Sequence, residues 1–77
     1  MARRKAEPRT VVKRSRFTEL RIQKGKTQRA LSLDFGVTES FIRGIESGRN
    51  NPEIKFAFKL AKYFETTVDD LFQDLAN

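Results

Sequence analysis

The chemistry that this sequence can offer is concentrated in residues 38–51, TESFIRGIESGRNN. If this segment is a helix, its two isoleucines share one face, and Ser40 and Gly44 lie nearly opposite. That second face is small, polar and flanked by Arg43, whereas a solvated helix face usually carries strong helix formers. A glycine inside a helix costs about 1 kcal/mol relative to alanine. The pattern therefore predicts that another molecule approaches the backbone closely at Gly44.

The composition argues against catalysis. The 77 residues contain no histidine and no cysteine, which removes the commonest general base and the soft metal ligands. No serine or carboxylate lies beside an obvious base. We therefore expect that the protein is not an enzyme and that it has no metal or cofactor site and no small-molecule ligand. No apolar run approaches the roughly 20 residues that cross a bilayer, and the charged N-terminus lacks a signal peptide's apolar segment. These features predict a cytoplasmic protein without membrane contact.

Charge is distributed unevenly along the chain, whose net charge is +6. Residues 1–16 contain seven basic residues and one acidic residue, whereas residues 64–77 contain four acidic residues and no basic one. A basic start followed by a mildly basic middle indicates a polyanionic partner such as nucleic acid. A solvated tail that only aids solubility is the alternative. Pro8 and the scarcity of apolar residues predict a flexible basic arm over residues 1–13 and a folded domain over residues 14–77.

Regular start and stop signals divide the first part of this domain into three short helices. Ser15, Thr27 and Thr38 stand where helix N-caps are expected. The glycines at positions 25, 36 and 48 stand where the three helices should end. Only Val37 separates the second helix's terminal glycine from the next cap, which predicts a tight turn.

Two further helices complete the predicted all-α, five-helix fold. Pro52 suits the first turn of a fourth helix that runs to about Phe64. Thr67 with Asp70 resembles a capping box for a short last helix. No stretch alternates with a period of two residues over a useful length, so no strand is expected.

The second and third helices, joined by a glycine turn, describe a helix-turn-helix whose recognition helix enters a DNA major groove. The segments LRIQKGKTQRAL, FGVTESFIRGIESGRNNP and LAKYFETTVDDLF resemble the Cro and lambda-repressor type of helix-turn-helix, also called the XRE family. The similar spacing extends from about Ser15 to Phe72. The segment FIRGIESGRNNP is also similar to the small controller proteins of restriction–modification systems, and phage-type repressors are nearly as close.

This resemblance implies roles for individual residues. Gln28 matches a glutamine that bonds a DNA phosphate in family members. Arg21 and Glu46 match a pair that ties the first helix to the third. The positions that match groups reaching base edges or nearby phosphates are Thr38, Glu39, Ser40, Arg43 and Gly44.

Further DNA contacts are expected beside the positions that the resemblance implies. Arg29 brings positive charge close to the phosphate site at Gln28. Phe41 either packs at the edge of the core or contacts a thymine methyl group, and Glu39 either accepts from cytosine N4 or repels phosphate. The loop after the third helix can offer side chains and backbone N–H groups to phosphate. Its residues are Arg49, Asn50 and Asn51.

Apolar residues near the C-terminus exceed what one small core needs. The predicted core stripe of helix four is Ile54, Ala57, Leu60, Ala61 and Phe64. The surplus predicts self-association as a two-fold dimer, unless the arm or the chain end folds over it. The residues predicted to form the dimer interface are Phe56, Tyr63, Val68, Leu71, Phe72 and Leu75.

These features together predict a lambda-repressor-like, sequence-specific regulator of transcription that binds double-stranded DNA. We expect a homodimeric repressor on a palindromic operator, encoded by a bacterium, phage or plasmid and nucleoid-associated when bound. The basic arm contacts phosphates, enters the minor groove or remains unbound. The alternative function is an antitoxin or anti-repressor, an interaction protein whose main partner is another protein.

Overall fold

A computed structural model describes residues 13–75, and these residues form five helices and no strand. The helices are α1 (Ser15–Gln23), α2 (Gln28–Phe35), α3 (Glu39–Ser47), α4 (Ile54–Tyr63) and α5 (Val68–Leu71). The predicted all-α, five-helix fold is therefore confirmed. The predicted arm lies outside the described residues except for Lys13.

Threonine side chains begin three of the helices. The hydroxyls of Thr27, Thr38 and Thr67 each accept a hydrogen bond from the backbone N–H three residues on, at 3.0 to 3.1 Å. These bonds satisfy N–H groups that have no partner inside the helix. The capping box predicted at Thr67 is only half formed, because the Asp70 carboxylate accepts from the Thr66 hydroxyl at 2.6 Å instead.

Two helix starts differ from the prediction. The N-cap position of α1 is Arg14 rather than Ser15, and no side chain caps this helix. The backbone N–H of Arg14 instead donates to the carbonyl of Glu46 at 2.9 Å, so a tertiary contact positions the start of α1. Helix α4 begins at Ile54, and Pro52 lies before the helix rather than in its first turn.

Left-handed backbone conformations form the turns after α2 and α4. Gly36, between α2 and α3, has a φ of 67°, where a side chain would be strained. Glu65 has a φ of 56° after α4 despite its side chain. Such a conformation costs a non-glycine residue about 1–2 kcal/mol, so the rest of the fold must impose it.

The core is built from apolar side chains of all five helices. The Phe17 ring lies 5.5 Å from that of Phe64, edge to face, and 6.4 Å from that of Phe72. The two isoleucines of α3 are fully buried, as predicted. The buried apolar residues are Phe17, Leu20, Leu31, Ile42, Ile45, Ala57, Leu60, Ala61, Phe64, Leu71 and Phe72.

The apolar residues near the C-terminus are arranged differently from the prediction. Leu71 and Phe72, predicted to form a dimer interface, are 1% and 0% exposed and belong to the core of a single chain. Ile54, predicted to lie in the core, is 65% exposed. Helix α5 has only four residues and ends at Leu71. Because Phe72 then leaves the helical phase, both side chains can turn inward.

Two other predicted interface residues also pack within the chain. The rings of Phe56 and Tyr63 lie edge to face on Phe35, with centroids 5.4 and 5.1 Å away. The Tyr63 hydroxyl donates to Asp34 at 2.7 Å. Both side chains are half-buried by this packing. These two side chains therefore stabilise the fold of a single chain.

An ion pair ties α1 to α3. Arg21 donates from Nε to Glu46 Oε1 at 2.8 Å and from Nη2 to Oε2 at 3.1 Å, and the Glu46 side chain is only 7% exposed. The predicted pair is thus present in the structure. Burial favours the neutral form of Glu46, but hydrogen bonds from Arg21, Thr18 and Gln28 outweigh burial and hold the pKa of Glu46 below its ordinary value.

The side of α3 that carries Gly44 is not open. A Cβ atom at Gly44 would lie 2.8 Å from Asn50 Cγ, and the Asn50 N–H donates to the Gly44 carbonyl at 3.0 Å. The interpretation that Gly44 faces only an external partner is therefore wrong. The bare position admits the side chain of the following loop.

We predict that Arg21→Ala lowers the free energy of unfolding by about 1–3 kcal/mol, because it leaves the Glu46 carboxylate buried with one fewer partner. Chemical denaturation measures this loss. The control is Arg16→Ala in the same helix, whose ion pair with Asp70 is more exposed and should contribute less than about 1 kcal/mol. Equal losses from both variants would show that burial of Glu46 is immaterial.

We predict that Gly44→Ala leaves stability nearly unchanged. Its gain in helix propensity, about 1 kcal/mol, is offset when Asn50 is driven from its rotamer, at a cost of about 0.5–1.5 kcal/mol. In an Asn50→Ala background the same substitution should stabilise the protein by the full propensity gain. A thermodynamic cycle by denaturation measures the difference. Additive effects would contradict the contact between the two positions.

Candidate nucleic-acid interface

The exposed side of α3 is polar and includes one cation. Thr38, Ser40 and Arg43 are exposed, while the opposite side of the helix enters the core. Helix α2 packs against α3, and the turn at Gly36 joins the two helices. This arrangement presents one side of α3 outward on a rigid two-helix support, which is the geometry of a reading head in a helix-turn-helix.

Arg43 is paired within its own helix. Its Nη2 donates to Glu39 Oε2 at 3.1 Å, one helical turn away; the Arg43 side chain is 58% exposed and that of Glu39 is 38% exposed. An exposed pair of this kind is worth less than about 1 kcal/mol. It can therefore open when Arg43 meets a stronger acceptor, such as guanine O6 and N7. The predicted DNA contacts Arg43 and Glu39 thus lie side by side.

The N-terminus of α2 suits an anion. Three features meet there: the partial positive charge of a helix start, the absence of acidic residues in the first turn, and the exposed side chain of Arg29. Gln28, the first residue of α2, is half-buried and its side chain helps to lower the pKa of Glu46. The predicted phosphate-binding glutamine is therefore half-buried near Glu46, at the same helix start as Arg29.

Phe41 lies at the edge of the core. It is half-buried, and its ring centroid lies 5.6 Å from that of Phe56. Of the two alternatives that the sequence left open, packing at the core edge is the one that the structure favours.

The predicted contacts Arg49, Asn50 and Asn51 are exposed in the loop between α3 and α4, which is held from inside the protein. Arg14 donates from Nη1 to the Asn50 carbonyl at 2.8 Å and from Nη2 to Asn51 Oδ1 at 2.9 Å. The backbone of this loop is thus fixed, while the Arg49 side chain extends into solvent. Such a loop can offer a cation and amides to a phosphate without first becoming ordered.

Arg14 is the residue that sequence reasoning missed. It was counted with the basic residues near the arm, yet it is 4% exposed and pairs with Asp74 at 2.8 Å. The Arg14 guanidinium also holds the pKa of Asp74 below its ordinary value. No local signal indicated this role, because Ser15 is the residue that the sequence predicts as N-cap, and Arg14 takes that position only in the structure.

Basic side chains outnumber acidic ones among the exposed groups that form no ion pair within residues 13–75. The cations without such a pair are Lys13, Lys24, Arg29, Arg49, Lys55, Lys59 and Lys62, and the corresponding acidic residues are Glu53, Glu65 and Asp69. Lys24 lies over the Tyr63 ring, 4.9 Å from its centroid. The remaining surface favours a polyanion.

A second surface is apolar. Ile54, Phe58 and Leu75 are 65%, 60% and 45% exposed. Two clefts meet at half-buried Val68: one of about 290 Å³ that Ile54 and Leu75 line, and one of about 420 Å³ that Phe58 lines. We call these four residues the α4–α5 patch. Val68 and Leu75 were predicted at a dimer interface, whereas Ile54 and Phe58 were not.

The described residues provide little for other kinds of site. Within residues 13–75, no group of three or more His, Cys, Asp or Glu side chains is arranged to hold a metal ion. No helix in that range combines the length and apolarity needed to cross a membrane.

Known proteins resemble this chain over most of its length. A family model described as helix-turn-helix matches residues 18–71. An uncharacterized HTH-type transcriptional regulator of Archaeoglobus fulgidus is 37% identical over 59 residues, which cover 77% of this chain and 84% of that protein. The uncharacterized HTH-type transcriptional regulator YgzD of Bacillus subtilis is 32% identical over 59 residues, or 77% of this chain and 89% of that protein.

A shorter match has higher identity. The uncharacterized HTH-type transcriptional regulator MJ0272 of Methanocaldococcus jannaschii is 41% identical over 46 residues, which cover 60% of this chain and 70% of that protein. No solved structure matches the chain. The family match includes Thr27, which caps α2, the turn at Gly36 and the whole of α3. These features also carried the resemblance seen in the sequence. The chain belongs to the XRE-type helix-turn-helix family.

Proposed function

We propose that the protein is a sequence-specific regulator of transcription that binds double-stranded DNA as a homodimer and represses from a palindromic operator. The observation that carries this proposal is the outward side of α3, with Arg43 exposed beside a fixed loop and the cationic start of α2. The names of its relatives, all HTH-type transcriptional regulators, support regulation of transcription. Because its proposed ligand is double-stranded DNA, the protein would act in the compartment that holds the genome, the cytoplasm.

The proposed contacts divide into two classes. Arg43 and Ser40 face base edges in the major groove and select the sequence, and Thr38 and Glu39 lie at the same end of the helix. Arg29, Gln28 and the loop contact phosphates and supply affinity that does not depend on sequence. The arm, residues 1–13, adds further cations to this second class.

The α4–α5 patch supports a dimer. Its members lie on two adjacent helices and the chain end, and each is apolar and exposed or half-exposed. A two-fold axis would place each patch against its copy, which removes both from water. The two copies of α3 would then reach half-sites about 34 Å apart, one turn of B-DNA.

Repression follows from occupancy. A bound dimer excludes other proteins from the same stretch of duplex, whereas activation needs an additional surface for a second protein. Within residues 13–75, the α4–α5 patch contains three of the five large apolar side chains that are exposed, and the partner copy would cover it. The proposal therefore assigns repression. A reporter gene that carries an operator selected from a random pool of duplexes tests whether the protein lowers or raises transcription. A rise in expression on adding the protein would indicate activation.

We predict different effects from two arginine substitutions after an operator has been selected from a random pool of duplexes. Arg43→Lys keeps the charge but loses paired donors, so it should weaken operator binding by about 1–3 kcal/mol and leave random-DNA binding almost unchanged. Arg49→Ala should weaken both equally and reduce the slope of log K against log salt by about 0.9. Fluorescence anisotropy over a salt series measures both effects. Failure to enrich any duplex sequence would contradict sequence-specific binding.

We predict that Phe58→Arg shifts the protein from dimer to monomer in sedimentation equilibrium, because it buries a charge in the proposed interface. Ile22→Arg is the control, since Ile22 is 63% exposed on α1, outside the patch, and Phe58 is 60% exposed. Phe72→Arg is unsuitable because Phe72 lies in the core. A wild-type monomer at tens of micromolar, with and without operator, would contradict the homodimer and favour another protein as the occupant of the patch.

A further inference from the structure

Arg14 uses every donor of its guanidinium within the protein. Its Nε and Nη2 bond the two oxygens of Asp74 at 3.0 and 2.8 Å. Its Nη1 bonds the carbonyls of Ile45 and Asn50, each at 2.8 Å, and its second Nη2 hydrogen reaches Asn51 Oδ1 at 2.9 Å. A guanidinium has five N–H groups in a fixed plane, and all five are paired here. The set joins the end of α3, the loop and the C-terminal segment.

The burial of Arg14 makes this arrangement rigid. Its side chain is 2% exposed, and its guanidinium lies 5.1 Å from the centroid of the Phe72 ring. An arginine stacked on an aromatic ring and bonded at every donor cannot be replaced by lysine, which has three donors at one point. The residue type is therefore required by the geometry and not only by charge.

The loop is held on its other side by α3. The Asn50 side chain occupies the space left by the missing Cβ of Gly44, and the backbone N–H of Asn50 donates to the Gly44 carbonyl. Arg14 bonds the carbonyl of the same asparagine. The backbone from Arg49 to Asn51 is thus held between α3 and Arg14, while the Arg49 side chain remains free of any ion pair within residues 13–75.

We propose that Arg14 is a positioning residue for DNA binding: it holds residues 49–51 in their binding conformation before DNA arrives and does not itself touch DNA. The inference rests on the proposed function. A loop that is already ordered loses less conformational entropy on binding, so the same contacts give higher affinity. Through Asp74, the same guanidinium links the loop to the segment that ends in Leu75 of the α4–α5 patch.

A matched control lies two residues along the chain. Arg16 is also an arginine in an ion pair, with Asp70 at 2.8 Å and Glu19 at 3.0 Å, but its side chain is 35% exposed and bonds nothing in the loop. Arg14→Lys and Arg16→Lys keep the net charge of the protein. A difference between them in DNA affinity therefore cannot come from long-range attraction to phosphates.

The experiment compares operator affinity of the full chain, with unfolding curves confirming that each variant is folded at the assay temperature. We expect Arg14→Lys to weaken binding at least tenfold and Arg16→Lys less than twofold. Backbone ¹⁵N relaxation should show lower order parameters at residues 49–51 in Arg14→Lys, with those in α2 unchanged. Should Arg14→Lys fail to fold, Asp74→Asn loosens the same contact and should weaken binding about threefold.

A double-substitution cycle separates positioning from a general structural role. If Arg14 acts through the loop, Arg14→Lys should cost less than threefold in a background that carries Arg49→Ala and Asn50→Ala. An equal tenfold loss in both backgrounds would overturn the inference, as would a folded Arg14→Lys variant that binds within twofold of the wild type. A wild-type protein that binds no duplex would instead contradict the proposed function itself.

Discussion

The domain depends on keeping one buried carboxylate ionised. Glu46 lies on the inner side of α3, and a carboxylate in that position is tolerated only when its oxygens are hydrogen-bonded. Arg21 and Thr18, both on α1, supply those bonds. Because the bonds require a single placement of α1 relative to α3, they set the direction of the outward side of α3. An interior ion pair thereby fixes the orientation of the exposed side of α3.

The same turn of α3 connects to the start of the folded domain. The carbonyl of Glu46 accepts from the Arg14 backbone N–H at 2.9 Å, and the carbonyl of Ile45 accepts from its guanidinium at 2.8 Å. Arg14 is therefore anchored beside the end of α3 and the loop that follows it.

Features that depend on a few neighbouring residues were predictable from the sequence, whereas features set by tertiary contacts were not. The caps at Thr27 and Thr38 were found because a hydroxyl and an N–H three residues away determine each one. The inward turn of Phe72 was missed because α5 is too short to define a helical phase. The role of Arg14 was missed because its partners lie 31 to 60 residues away in the sequence, where no local pattern indicates them.

Gly44 shows how a correct observation on the sequence can receive the wrong physical cause. The glycine is unfavourable for α3 and does require a close neighbour, but that neighbour is Asn50 of the same chain. The outward side of α3 and the loop therefore form one surface, in which the residue at 44 limits what can stand at 50. A larger side chain at 44 would displace the Asn50 side chain from this space. The residue at 44 therefore limits the conformation of the side chain at 50, and the exposed side of α3 cannot be considered apart from the loop held against it.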